Sequence, residues 1–179
     1  MNTTAPKNGH LRLRGMMHDD LPDVLEIEAD IFVHPWSEQD FIDHLEDYES
    51  VTVVIEDESE IVGYLVLGLD GKEMEICSCV VAPSHQRQGL GTLMIRRLTT
   101  GLAAHRWERL FVRIPERNLG ALLFFRRCGF RAVAILREYL GNGQDVYVME
   151  RTSQPVAKGE LPRCDQDDQL IPLWAVKHG

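Results

Sequence analysis

Apolar positions recur along this 179-residue chain with two periods, and the changes of period mark its elements. Leu11 and Leu13 alternate with polar neighbours, which predicts a strand over 11–16. Asp19 or Asp20, followed by Pro22, opens a helix that carries Val24, Leu25, Glu28, Ile31 and Phe32 at helical spacing. The run Phe32-Val33-His34-Pro35-Trp36 interrupts that spacing. Ser37, with Asp40 three residues on, has the form of a capping box, and it starts a second helix with Phe41, Ile42 and Leu45 facing inward. A β-branched strand over 51–55, a turn at 57–60, an apolar run over 61–69, the hairpin signal Asp70-Gly71 and a strand over 73–81 predict a three-stranded meander.

The strand over 73–81 breaks at Ala82-Pro83, passes through Gln86-Arg87-Gln88-Gly89-Leu90-Gly91, and continues as a helix. Leu90, Leu93, Met94, Leu98 and Leu102 form the apolar stripe of that helix. A buried strand over 109–114 follows. A helix over 118–128 ends at Gly129, and a last hairpin joins 130–140 to 145–151 around Gly141-Asn142-Gly143. The order β α α β β β α β α β β predicts an α+β domain with a mixed, strongly twisted, mostly antiparallel central sheet and helices on both faces. Contiguous elements end near Arg151, so residues 1–151 read as one domain. Residues 152–179, with Pro155, Pro162 and Pro172, read as a mobile tail in which Leu170 to Val176 alone is apolar enough to dock.

Charge changes this picture more than bulk composition does. Hydrophobic content of 44% and charged content of 26% are ordinary for a globular chain. No run is apolar enough to span a bilayer and no N-terminal signal precedes the first strand, so the expected location is cytoplasmic, with no membrane partner. A net charge of −9 argues against nucleic acid. Between Gly15 and Gly71 there are seventeen acidic residues and no Lys or Arg, whereas between Arg87 and Arg131 there are ten arginines and two acids. The first stretch suits a cationic substrate and the second a polyphosphate, though two solvated faces of opposite sign would give the same counts. Cys77 and Cys79 alternate on one strand, Cys128 and Cys164 lie far away, and no metal-type spacing occurs, so reduced thiols and no metal are expected.

A strand, a glycine-bearing turn and a helix start together form a cradle for a diphosphate, because the first helical N–H groups have no partner within the helix and the dipole favours an anion. A Walker loop is excluded, since no Lys follows Gly91. The dinucleotide fingerprint is incomplete, with only GxG present and several strands ahead of it. The pattern [QR]xxGx[GA] is met by Gln86 to Gly91, and it resembles motif A of the GNAT acetyltransferases. From Leu11 to about Arg151 the elements are similar to the GNAT fold throughout. The pieces Phe32-x-x-Pro35-Trp36-Ser37, Val81-Ala82-Pro83, Val112-Arg113…Asn118…Phe124-Phe125…Gly129-Phe130 and Arg137-Glu138-Tyr139 resemble the ribosomal-protein alanine N-acetyltransferases within that superfamily.

The resemblance implies acetyl-CoA as co-substrate and an amine as acceptor, first a protein or peptide N-terminus of the ribosomal-protein-alanine type; the alternatives are a small amine, or a module that binds acetyl-CoA without turnover. A monomer or a homodimer is the expected assembly. By position, the backbone of Cys79, Val80 and Val81 would pair with the pantetheine arm. Arg87, Gln88, Gly89, Leu90, Gly91 and Thr92 would hold the pyrophosphate. Asn118 would bond the pantetheine or a nearby phosphate while also capping its helix, Phe125 would lie against the cofactor, and Pro35 and Trp36 would line the acceptor site with Tyr139. The resemblance fails at two places. The general base expected before Val112-Arg113 is replaced by Phe111, and the tyrosine acid expected before Gly129-Phe130 is replaced by Phe125. The link from Arg113 to Asn118 is also two residues longer than usual. Glu75, on the same strand face as Cys77, Cys79 and Val81, is the substitute base, at a position where histone-lysine acetyltransferases keep a catalytic Glu. Tyr139 is the remaining candidate acid. Tyr64 reads as core.

Overall fold

The computed structural model describes residues 11–105, 107–140 and 143–152. The stretch after 152, including the apolar segment at 170–176, lies outside the described residues, as do Gly141 and Asn142 of the last hairpin. The elements are β1 (Arg12–Gly15), α1 (Leu21–Ile31), α2 (Glu38–Glu46), β2 (Ser50–Asp57), β3 (Glu60–Asp70), β4 (Glu73–Val81), α3 (Leu90–His105), β5 (Arg109–Pro115), α4 (Leu119–Arg127), β6 (Arg131–Leu136) and β7 (Val146–Thr152). This is the predicted order, with short 3-10 turns at His18–Asp20 and Pro83–His85 added. The seven strands form a mixed sheet in the order β1-β2-β3-β4-β5-β7-β6. The β4–β5 pair is parallel, and β1–β2, β2–β3, β5–β7 and β6–β7 are antiparallel.

Two compact units share β4. The first takes in the chain up to Leu69 together with Cys77–Gly101; the second takes in Asp70–Ile76 and the chain from Leu102 on. In the first unit β3 is buried from Ile61 to Leu67 on both faces, which is why its sequence reads as an unbroken apolar run. Gly63 is required there by close approach: a Cβ at that position would lie 2.6 Å from the Val80 carbonyl oxygen. Val24, Phe41, Tyr64 and Met94 are fully buried in the same unit. The capping box forms as predicted, with the Ser37 Oγ accepting from the Asp40 N–H and the Asp40 carboxylate accepting from the Ser37 N–H at 2.9 Å.

The start of α1 differs from expectation. Asp20 does not cap α1 through its side chain. Its carboxylate instead turns back to accept the Met17 N–H at 2.7 Å and two N–H groups of the Arg14 guanidinium at 2.6 and 2.8 Å. A charge-assisted fork on arginine outcompetes an ordinary cap.

In the second unit β5 alternates strictly. Leu110, Val112 and Ile114 are buried, and Arg109, Phe111 and Arg113 lie half-buried on the opposite face. Phe125 and Phe130 meet edge to face at 5.1 Å within this core. The predicted strand 130–140 is shorter than expected, because β6 ends at Leu136. Asp145 accepts the Glu138 N–H at 3.1 Å and pairs with the Arg137 guanidinium, and Glu138 takes a positive φ of 52°. Tyr139 therefore sits on a turn, not on a strand.

Candidate active site

The loop after β4 is braced by its own glutamines. The Gln86 side-chain amide donates to the Val81 carbonyl at 3.0 Å, and that of Gln88 to the Ser84 carbonyl at 3.2 Å. Between them Arg87 adopts a φ of 62°, a conformation that costs energy for a non-glycine residue and clusters at functional sites. Gly89 follows with a φ of 87°, and a Cβ there would meet nothing within 4 Å. The Gly89 carbonyl accepts the Leu93 N–H at 2.9 Å, the first bond of α3, so the N–H groups of Leu90, Gly91 and Thr92 precede the helical ladder. No acidic residue lies in the first turn of α3. Open space, outward N–H donors, an exposed Arg87 and the absence of a competing carboxylate make a site that fits a diphosphate.

A separate cluster of charge lies on the second unit. Glu75 of β4 and Phe111 of β5 are register partners on parallel strands. The Glu75 carboxylate accepts from the Arg113 guanidinium at 2.6 Å, and both side chains are nearly buried, 12% and 13% exposed. The Phe111 ring carries two guanidiniums, that of Arg109 at 4.7 Å and that of Arg113 at 5.1 Å. Burial raises the Glu75 pKa above its ordinary 4.5, with the charge and hydrogen bond of Arg113 and the charge of Arg109 opposing it. The Tyr139 hydroxyl is buried and takes no hydrogen bond among the described residues. Burial raises its pKa too, while Arg113 lowers it and Glu75 raises it further. Glu75 therefore acts on the titration of Tyr139, and Arg113 acts on both. Arg113 is not among the expected catalytic or binding residues; its place two residues beyond Phe111 on an alternating strand is the signal that could have found it.

The segment between α1 and α2 divides its two expected acceptor residues. Pro35 is exposed, but the Trp36 indole is only 9% exposed, stacked on the His44 ring at 5.1 Å and tilted against Phe41 at 5.2 Å. Phe32 and Val33 are exposed with Pro35, at 39% and 90%. Glu28, which falls in the stripe of otherwise apolar positions, is 2% exposed and accepts the Trp36 N–H at 2.9 Å and the Tyr64 hydroxyl. Tyr64 is core, as expected, and its hydroxyl also accepts from Ser78 at 3.3 Å.

A profile of the acetyltransferase (GNAT) family matches residues 21–130. The chain belongs to that family. This acetyltransferase is 23% identical over 158 residues to an N-alpha-acetyltransferase of Sulfurisphaera tokodaii, spanning 81% of this chain and 95% of that protein. It is 27% identical over 126 residues to the ribosomal protein bS18-alanine N-acetyltransferase of Salmonella typhimurium, spanning 70% and 84% of the two chains. Its fold matches the crystal structure of the ribosomal-protein-S18-alanine N-acetyltransferase of Escherichia coli with a TM-score of 0.74 at 20% identity, over 84% of this chain and 98% of that one. Acetyl-CoA is the co-substrate of the family.

In this acetyltransferase the remaining expected site residues fall in two environments. Val80 is buried and Cys79 and Val81 are half-buried at the end of β4, beyond Glu75, where the described β4–β5 register stops. Asn118 caps α4, its side-chain oxygen accepting the Ala121 N–H at 3.0 Å. Phe125 is 5% exposed and sits edge to face with Phe124 and Phe130, in the aromatic core of the second unit.

Proposed function

We propose that this acetyltransferase acetylates the α-amine of a protein or peptide, with acetyl-CoA supplying the activated acetyl group. The observation that carries the reading is the pairing of Glu75 with Phe111, which puts a carboxylate on β4 beside the β5 position where the family's base is missing. The N–H groups of Leu90, Gly91 and Thr92, with Arg87, Gln88 and Gly89, hold the pyrophosphate. The backbone of Cys79, Val80 and Val81 pairs with the pantetheine arm as an added strand would, and an N–H near Val81 polarises the thioester carbonyl. Asn118, besides capping α4, bonds the pantetheine or a nearby phosphate.

An α-amine has a pKa of roughly 8, so most of it is protonated at neutral pH. Glu75 accepts a proton from the amine through a water. The amine nitrogen then forms a bond to the thioester carbon as the carbon–sulfur bond breaks, and the second proton shed by that nitrogen passes to water. Tyr139 returns a proton to the departing thiolate, leaving an amide and free CoA. A raised pKa on Glu75 brings it nearer the operating pH, which strengthens it as a base.

The acidic first half of the chain and the exposed apolar residues Phe32, Val33 and Pro35 favour a peptide end with a small first residue followed by basic ones. Thiol release from acetyl-CoA, measured against a panel of such peptides and against polyamines, aminoglycosides and free amino acids, tests the proposal. Turnover of peptides is expected. Turnover of small amines alone would assign the enzyme to that class, and binding of acetyl-CoA with no turnover at all would make it a sensor.

A further inference from the structure

Glu28 holds the segment from Phe32 to Trp36 at both of its ends. Its backbone carbonyl accepts the Phe32 N–H at 3.0 Å, the last bond of α1, and its carboxylate accepts the Trp36 N–H at 2.9 Å. The same carboxylate accepts the Tyr64 hydroxyl, which in turn accepts from Ser78 on β4. The carboxylate is buried, and burial raises its pKa, opposed by the bonds from Trp36 and Tyr64. A lone buried acid is a poor way to gain stability, since its desolvation offsets what its hydrogen bonds return. The ring of Trp36 already anchors the segment through His44 and Phe41. What the carboxylate adds is a tie at the far end of the segment, and the exposed residues Phe32, Val33 and Pro35 lie between the two tied ends.

We propose that Glu28 is a positioning residue for the acceptor: by clamping both ends of the 32–36 segment it holds Phe32, Val33 and Pro35 as an apolar rest for the first side chains of the peptide. This rests on the peptide-acceptor reading above. The clamp works through accepted hydrogen bonds and not through charge. In Glu28→Gln the new amide oxygen would still accept the Trp36 N–H, and the amide NH2 would donate to Tyr64, whose hydroxyl would turn to donate to Ser78. In Glu28→Leu the side chain would accept nothing and would leave the Trp36 N–H and the Tyr64 hydroxyl buried without that partner.

The test uses both variants in the full chain. For Glu28→Leu, acceptor KM should rise about tenfold with kcat changed less than about threefold, and acetyl-CoA affinity by calorimetry should stay the same. Glu28→Gln should keep acceptor KM within about twofold of the unaltered enzyme. Hydrogen exchange followed by NMR should show the Trp36 amide protected in the unaltered protein and in Glu28→Gln, and unprotected in Glu28→Leu. A Leu variant that loses Trp36 protection yet keeps its acceptor KM would overturn the proposal, as would a Gln variant as impaired as the Leu variant. Should Glu28→Leu not fold, the unaltered protein still decides: a Trp36 amide exchanging like an exposed loop amide would rule the clamp out. If the unaltered protein turns over no peptide, the peptide reading fails, and the exchange measurements judge the clamp by themselves.

Discussion

Glu75 and Phe111 face one another as partners on the two parallel strands of the sheet, and the carboxylate of the first is bonded to Arg113, two residues beyond the second. The strand position where family resemblance places an acid thus lies beside an acid on β4, on the half-buried face. The ring at 111 has a role of its own. It lies within cation–π distance of Arg109 and Arg113, which also bond Glu73, Glu150 and Glu75. A glutamate restored at 111 would therefore compete with Glu75 for Arg113.

The loop at 86–92 gives the simplest test of cofactor binding. Gly89→Glu forces an L side chain into a φ of 87° and puts a carboxylate where the N–H donors need an anion. Calorimetry should show acetyl-CoA affinity reduced by at least about a hundredfold in a variant whose circular dichroism is unchanged. Unchanged affinity would remove the pyrophosphate role from this loop.

Gly63→Ala tests the close packing of β3 against β4. The added methyl would meet a backbone carbonyl at 2.6 Å, so strand and strand must move apart. A loss of about 1–3 kcal/mol in urea unfolding is expected. A variant as stable as the parent would mean that the two backbones separate at no cost.

Much of this architecture is readable in the chain, and the failures have physical causes. Periodicity locates all eleven helices and strands among the described residues, and the Ser37–Asp40 box forms where its spacing says. Asp20 reads as a cap but does not act as one, because Arg14, six residues back, offers its carboxylate a stronger partner. Tyr139 reads as part of a strand but lies on a turn, because the Asp145 side chain closes that turn and no local propensity shows it. At the site, the loop over 86–91 announces itself through glycine spacing. The Glu75–Arg113 pair does not, because it depends on which strand lies beside β4. Glu28 looks like one more stripe position; a carboxylate there is the sign of a buried hydrogen-bond hub.

Removing Arg113 should change both stability and pH response. Arg113→Gln removes the guanidinium that pairs with the nearly buried Glu75, which should cost about 3 kcal/mol at neutral pH. Because the Glu75 pKa lies above its ordinary 4.5 in the folded protein, the fold takes up that proton more readily than the unfolded chain does. The stability this confers is present below about pH 4.5 and is lost as pH rises through the raised value. Loss of Arg113 raises that value again, so the deficit of the variant should shrink on acidification. The acidic limb of the rate profile should move to higher pH. Equal deficits at pH 4.5 and at neutrality would exclude a Glu75–Arg113 coupling of this kind.

The role of Glu75 as the base is tested most directly by the pH–rate profile of Glu75→Gln. The substitution keeps the shape and removes proton acceptance. With a peptide acceptor and saturating acetyl-CoA, kcat at neutral pH should fall by about a hundredfold or more, with acetyl-CoA affinity intact. Part of the rate should return above about pH 8, where the amine is already neutral. A variant with the parent's rate across the whole pH range would contradict the assignment.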